Sequence, residues 1–363
     1  MSTTSVLPPI LRALRKDNPD VWVTSDGGVV VKGETVRVEI NTAAIDADLL
    51  YTTPSNACDA LAVIIASGVD AARTRYGVPN EPDILPTAIT KAQINVTDNA
   101  ERLISLISPN FISDDSARHN LTHAEIDVTE TGADIVSTQG HALSAHHVPW
   151  LASPEPFFAP ISRNMAVVLE SLQKKCTPVE VDLGQDVFRA TFLSRDGDIL
   201  VLTAEPHNTD RLPRSWRELF PSEDTMSVDV AAHIPLLRTL LARKGAKKGD
   251  VIVLTVSDGD EPIALLVRDD DNMIVAIAAY ADDLTPATHE EAFCAAYMRS
   301  YIDSALQAVD LYDEASLVTS GERHMLFAEA RTGDDVCGVL VMPRRMSVGE
   351  IVPGLCEYIR VTP

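Results

Sequence analysis

Apolar residues recur along the chain at two spacings, and the alternation between these spacings divides it. Leu7, Ile10, Leu11 and Leu14 follow the i, i+3, i+4, i+7 spacing of an amphipathic helix. Ala100, Leu103, Ile104 and Ile107 repeat it, and His233, Leu236, Leu237 and Leu240 repeat it again. Each set is followed by a second helical set: Cys58, Leu61, Ala62, Ile65; Met165, Val168, Leu169, Leu172; and Ile302, Ala305, Leu306, Val309. Ser55, Ser162 and Ser300, at the starts of these second helices, read as N-caps. Between the paired helices lie β-rich runs with turn residues at their joints: Asp26-Gly27-Gly28, Thr131-Gly132, Asp258-Gly259 and Asp269 to Asn272. Further hairpins follow the second helices, with turns at Asp196-Gly197 and Thr332-Gly333.

Helix, strands, helix, strands, three times over, is an internal repeat with a period far above that of solenoids. It predicts an α+β chain of three repeated domains, each with two helices packed on antiparallel sheets. Strand-like Gln93 to Val96 and Ser227 to Val230 stand just before the second and third copies, so the cuts fall at 1–92, 93–225 and 226–363. The first copy is short. Residues 69–92 carry three prolines where the other copies have alternating strands, and proline is confined to the edges and bulges of sheets. This stretch reads as a loop or a reduced hairpin.

Composition narrows the function. The 363 residues are 45% hydrophobic, enough for each domain to bury a core. With 30 Lys and Arg against 53 Asp and Glu the net charge is −23, which excludes a surface basic all over but leaves room for one basic face. Cys58, Cys176, Cys294, Cys337 and Cys356 are scattered and without CxxC spacing, so neither a zinc ribbon nor a secreted disulfide framework is expected, and a reducing cytoplasm fits. No apolar run reaches the ~18 residues of a membrane span, and no targeting signal is visible.

The most informative stretch runs from Ile135 to Val148, two alternating strands joined at Gln139-Gly140, where a glycine permits a sharp bend. It opens an ordered set of three motifs. Thr138-Gln139-Gly140-His141-Ala142-Leu143 is followed by Leu212 to Pro221, reading Leu-Pro-Arg-Ser-Trp-Arg-Glu-Leu-Phe-Pro, and then by Val341-Met342-Pro343-Arg344-Arg345-Met346. The set resembles the bacterial sliding clamp, the β subunit of the replicative DNA polymerase. There the motifs read roughly Thr-Asp-Gly-His-Arg-Leu, Phe-Pro-Asp-Tyr-Arg-x-x-x-Pro and Val-Met-Pro-Met-Arg-Leu. Leu121, in Arg118-His119-Asn120-Leu121, stands where the family has Arg-Tyr-Tyr-Leu. The resemblance covers residues 93–346 well and the first 92 poorly.

The resemblance implies a two-protomer ring that encircles duplex DNA and carries polymerase and clamp-loader peptides in a pocket. Carried over residue by residue, that pocket is lined by Leu121, Thr138, Gly140, His141, Leu143, Pro213, Leu340, Met342, Pro343, Arg344 and Met346. Leucines, methionines and prolines with a few polar groups suit a short peptide held by one or two apolar anchors. Gln139, Ala142 and Arg344 replace the family's aspartate, arginine and methionine, and Arg344 suits an acidic ligand residue. If the repeated helices line a central hole, Arg12, Arg15, Lys16, Arg118, Lys174, Lys175, Arg238, Arg243, Lys244, Lys247 and Lys248 face it and contact phosphates without base readout. For any one of these cations the helix macrodipole is the better explanation, and for the set on corresponding helices the tunnel is favoured.

No catalytic set emerges, no cofactor is implied, and the expected function is non-enzymatic. His141, His146 and His147 suggest a metal-assisted hydrolase as the alternative from a different class, without HExxH spacing or a cysteine partner. A second alternative is a clamp relative that binds clamp partners without encircling DNA. Beyond Met346 the chain runs past the point where the family ends, with Ile351, Val352, Leu355, Tyr358 and Ile359 too apolar for a solvated linker. Ile351, Leu355, Tyr358 and Ile359 have helical spacing interrupted by Pro353-Gly354. The segment is expected to pack on the third domain, or else to fold over Leu143, Pro213 and Met342.

Overall fold

The computed structural model describes residues 10, 20–23, 29–32, 36–41, 50–52, 94–115, 117–185, 187–195, 197, 199–204, 211–220, 227–247, 249–256, 262–268, 273–280, 293–320, 325–344 and 357–360. In chain order the first elements are β1 (Asp20–Val23), β2 (Val29–Lys32), β3 (Val36–Asn41), β4 (Leu50–Thr52), β5 (Ile94–Val96) and α1 (Ala100–Ser105). Next come β6 (His123–Thr129), β7 (Gly132–Thr138), β8 (Ala142–Val148), β9 (Phe157–Ser162), α2 (Arg163–Gln173), β10 (Cys176–Leu183), β11 (Phe188–Ser194) and β12 (Ile199–Ala204). The last third holds β13 (Ser227–Asp229), α3 (Ile234–Leu241), β14 (Val251–Val256), β15 (Ile263–Val267), β16 (Ile274–Ala279) and β17 (Phe293–Met298). It ends with α4 (Arg299–Val309), β18 (Glu314–Ser320), β19 (Met325–Thr332), β20 (Asp335–Val341) and β21 (Glu357–Arg360). The chain forms two compact units, residues 1–137 with 149–211, and residues 138–148 with 212–363.

In the first unit a sheet runs β4-β1-β2-β3-β12-β11-β10-β5, antiparallel throughout. Its middle is the pairing of β3 with β12, six residues on each strand from Val36↔Ala204 to Asn41↔Ile199. β6 pairs with β7 and β9 in the same sense. Behind these strands α1 and α2 pack on one another, with Leu103, Ile104, Met165, Leu169 and Leu172 buried at the positions their spacing assigns. Ser162 caps α2 as its sequence position predicts, its hydroxyl accepting the Met165 N–H at 3.3 Å.

The second unit repeats the scheme. One sheet is built from β13-β18-β19-β20-β8 and another from β17-β14-β15-β16-β21. α3 and α4 pack together and bury Leu236, Leu237, Leu240, Ile302 and Leu306. Val251, Val253, Val267 and Ala296 form a buried cluster between strands β14, β15 and β17. Here Ser300 departs from its expected role: α4 begins at Arg299 with Met298 as N-cap, so Ser300 lies inside the helix.

The repeat reaches individual bonds. Arg163 and Arg299 each open the second helix of their repeat. Their N–H groups donate to Thr122 and Asp250, just before β6 and β14, at 3.1 and 2.9 Å. Their guanidinium groups donate to the carbonyls of Ile112 and Leu241, at 3.2 and 2.6 Å, and so tie each second helix to the stretch that ends the first. The tail ends in a strand, not a helix: β21 lies parallel to β16 from Ala276↔Glu357 to Ala279↔Arg360. Pro353-Gly354 breaks the helical spacing, and the residues beyond it take their hydrogen bonds from a sheet edge instead. The expected helix at Cys58 to Ile65, residues 69–92, Ser55 and the turns at 26–28, 258–259 and 269–272 lie outside the described residues.

Candidate functional site

The elbow between β7 and β8 is a tight turn closed by its own threonine. Gly140 has φ +92°, in the left-handed region where a side chain is strained. Its N–H donates to Thr138 Oγ1 at 3.0 Å, and that hydroxyl donates to the Ala142 carbonyl at 2.8 Å. The Gln139 N–H donates to the same carbonyl at 3.2 Å. Thr138 and Gly140 therefore set the turn that aims His141 and Leu143.

From there β8 pairs antiparallel with β20, Leu143 opposite Leu340 and Ala142 opposite Val341. The ladder continues beyond β20: the Met342 N–H donates to the His141 carbonyl at 2.8 Å. Two residues on, the Arg344 N–H donates to the Ala296 carbonyl at 2.7 Å and its Nη1 lies 3.5 Å from Met298 Sδ. The segment through Pro343 is thus pinned by backbone bonds at both ends.

Side chains two apart share a sheet face, so Gly338 and Leu340 point the same way. Phe220 covers Gly338 closely; a Cβ at 338 would meet Phe220 Cε1 at 2.8 Å. Phe220 meets Phe327 edge-on at 5.5 Å between centroids and Trp216 at 6.0 Å, and the Arg217 guanidinium lies over the Trp216 ring at 4.5 Å. The turn Arg214–Leu219, entered at Pro213, is anchored to the sheet by this aromatic cluster. Met342, just past β20, is 37% exposed and Leu219, next to Phe220 in sequence, is 48% exposed, while Leu143 and Leu340 are buried. His141 is exposed and stacks on Tyr301 of α4, centroids 5.9 Å apart. Large apolar groups held in place by a rigid sheet and left to solvent are what a peptide anchor needs.

Of the expected pocket residues, Thr138, Gly140, His141, Leu143, Pro213, Leu340, Met342, Pro343 and Arg344 all belong to the second unit. Leu121 belongs to the first, half-buried in the turn His119–Leu121, and Met346 lies outside the described residues. The motif reading missed Trp216, Leu219, Phe220, Tyr301 and Gly338. The isolated Gly338 within an apolar strand is itself a sign of close approach by another group.

The three histidines do not converge. His146 faces inward, its Nδ1 sharing a hydrogen bond with Tyr312 Oη at 2.9 Å, while His147 is exposed on the opposite face of β8 and His141 stacks on Tyr301. Among the described residues no group of His, Cys, Asp or Glu side chains could hold a metal ion. Burial raises the Tyr297 hydroxyl well above the usual tyrosine range, keeping it neutral in the core beneath.

Several expected phosphate-binding cations have other partners. Arg118 pairs with Asp115 at 3.5 Å and Lys174 with Glu170 at 2.8 Å. Lys175 is half-buried at the end of α2. Arg238 pairs with Asp310 of α4, and Arg243 donates to the Val275 carbonyl of β16 at 2.6 Å. Lys244 and Lys247 are exposed after α3. Arg12, Arg15, Lys16 and Lys248 lie outside the described residues.

No protein-family model matches the sequence, and no curated protein sequence matches it. Solved structures do. DNA polymerase III subunit beta from Pseudomonas aeruginosa is 15% identical with a TM-score of 0.59, covering 94% of this chain and 97% of its own. The sliding clamp of Bartonella birtlesii, bound to griselimycin, is 14% identical with a TM-score of 0.60, covering 94% and 97%. That of Bacillus subtilis is 14% identical with a TM-score of 0.57, covering 95% and 98%. This chain has the sliding-clamp fold. The clamp neighbours match nearly the whole chain. No helix among the described residues is long and apolar enough to cross a membrane.

Proposed function

We propose that this chain is a non-enzymatic clamp-type processivity factor, which holds a DNA polymerase at duplex DNA through a peptide docked on the Leu143, Leu340 and Met342 surface. The observation that carries this reading is that surface itself, in a chain of clamp fold. It offers exposed apolar anchors at Met342 and Leu219 and an exposed His141 stacked on Tyr301, with the Met342–Arg344 segment pinned by backbone bonds to His141 and Ala296. Arg344, tethered by its backbone beside the anchors, gives the site a cation for an acidic residue of the peptide. Clamp-loader peptides are taken to use the same surface.

The chain is read as three clamp domains, 1–92, 93–225 and 226–363, two copies joining head to tail around DNA as a cytoplasmic homodimer. Lys244 and Lys247, exposed after α3, supply phosphate contacts without base readout. The overall −23 charge keeps the rest of the surface off DNA.

The test is the affinity of the full chain for the replicative DNA polymerase of the organism that encodes it, measured by surface plasmon resonance. Met342→Glu places a charge among the anchors and is expected to weaken binding at least tenfold with the melting temperature unchanged, because Met342 is exposed. Equal affinity in the variant contradicts the proposed surface.

A further inference from the structure

Two strand junctions inside the chain follow one rule. In the first unit β3, the last strand of the block β1-β2-β3, pairs antiparallel with β12, the last strand of β10-β11-β12, over six residues. In the second unit β8, which closes the run β6, β7, β8, pairs antiparallel with β20, the last strand of β18-β19-β20, again over six residues. The flanking strands match as well: β4 pairs β1, β9 pairs β6 and β17 pairs β14, while β5 pairs β10 and β13 pairs β18. The block β14-β15-β16 is the third example of the first type, and its last strand, β16, is the one that lacks an antiparallel junction of this kind.

An edge strand carries a row of N–H and C=O groups that will pair with any suitable strand, and natural sheets cover such edges. Here the cover comes from the same chain. β21 lies along the outer edge of β16, parallel instead of antiparallel, over four residues instead of six. It differs in direction and length from both internal junctions, so it occupies the place of a junction without reproducing one. The parallel pairing is the weaker kind per residue. Its advantage is that it is intramolecular, and tethering by the short segment 345–356 gives it a high effective concentration that a second molecule must match.

We infer that β21 is a cap on the edge of β16, the edge that the head-to-tail reading above would give to a second copy. In dilute solution the cap stays on and the chain is a monomer. When copies are concentrated, or when a loading partner lifts residues 357–360, an antiparallel strand from a second copy replaces β21 and gains the longer junction. This deepens the head-to-tail reading above and rests on it, but mass in solution tests it without DNA or polymerase. Its failure would leave docking on the Met342 surface standing.

The test uses full-length chains and light scattering across a concentration series. Tyr358→Pro with Ile359→Pro removes two consecutive N–H groups, one of which must face β16, and so weakens the cap. Ala278→Cys with Ile359→Cys joins two register partners, which adjacent strands bring within disulfide range, and so locks the cap. The natural chain is expected near 39.3 kDa at micromolar concentration, the proline variant near twice that mass, and the oxidised lock monomeric at every concentration until reduced. Circular dichroism checks folding of the proline variant. If that variant is misfolded, the comparison of oxidised and reduced lock decides alone. A folded proline variant that stays monomeric, or an oxidised lock that associates as readily as its reduced form, overturns the inference.

Discussion

At the scale of single residues, the anchoring surface depends on a missing side chain. Gly338 lets the edge of the Phe220 ring come close to β20, and Phe220 in turn packs on Phe327 and Trp216, which tie down the turn from Arg214 to Leu219. Gly338→Ala puts a methyl carbon 2.8 Å from Phe220 Cε1, so the ring must move off Phe327 and release Trp216. Overpacking of this kind costs about 1–3 kcal/mol. The variant is expected to melt several degrees lower and to bind polymerase more weakly, where an exposed-surface change would do only the second. A melting curve superimposable on that of the natural chain would show that Phe220 is not seated as described.

Elements carry the lesson about what a sequence reveals. The helices α1, α2, α3 and α4 were legible because their apolar residues hold the 3.6 period, and each buried set is the one its spacing names. The β7–β8 elbow was legible because its glycine and threonine are local turn chemistry. What escaped was determined at long range. The pairing of β3 with β12, residues far apart in sequence, leaves no local trace, since both strands read simply as alternating runs. β21 was hidden for the same reason: a few apolar residues after Pro353-Gly354 fit helix or strand, and only the open edge of β16 decides. One long-range feature does leave a signal. Phe157-x-Ala159-x-x-x-Arg163 recurs as Phe293-x-Ala295-x-x-x-Arg299, and both arginines tie their helix to the stretch ending the previous one. Replacing Arg299 by Met keeps its length but leaves the Leu241 carbonyl without that donor, at a cost of about 1.5–3 kcal/mol for a charged hydrogen bond. Denaturant unfolding should show the midpoint shifted down with the slope unchanged. An unshifted midpoint would mean that the repeated tie is decoration.

For the whole molecule, sequence likeness and shape give different amounts of information. Identities of 11–15% with known clamps are too low to transfer a function residue by residue, yet the structural match covers 94% of the chain. The cation set shows how the two readings combine. Arg238 and Arg243, candidates for the DNA face by sequence, pair with Asp310 and the Val275 carbonyl within the second unit. Lys244 and Lys247 are exposed after α3, and the proposed function gives them the phosphate contacts. In the proposed function, weak contacts of that kind would allow sliding and the polymerase would be held by tethering, which can raise apparent affinity by ~10²–10⁴ without a new contact on DNA. The most direct measurement is therefore the length of DNA made per binding event by the cognate polymerase on a primed circular template, with its clamp loader present, with and without this chain. The account predicts much longer products with the chain and no lengthening with Met342→Glu. Products of equal length with and without the natural chain would contradict it.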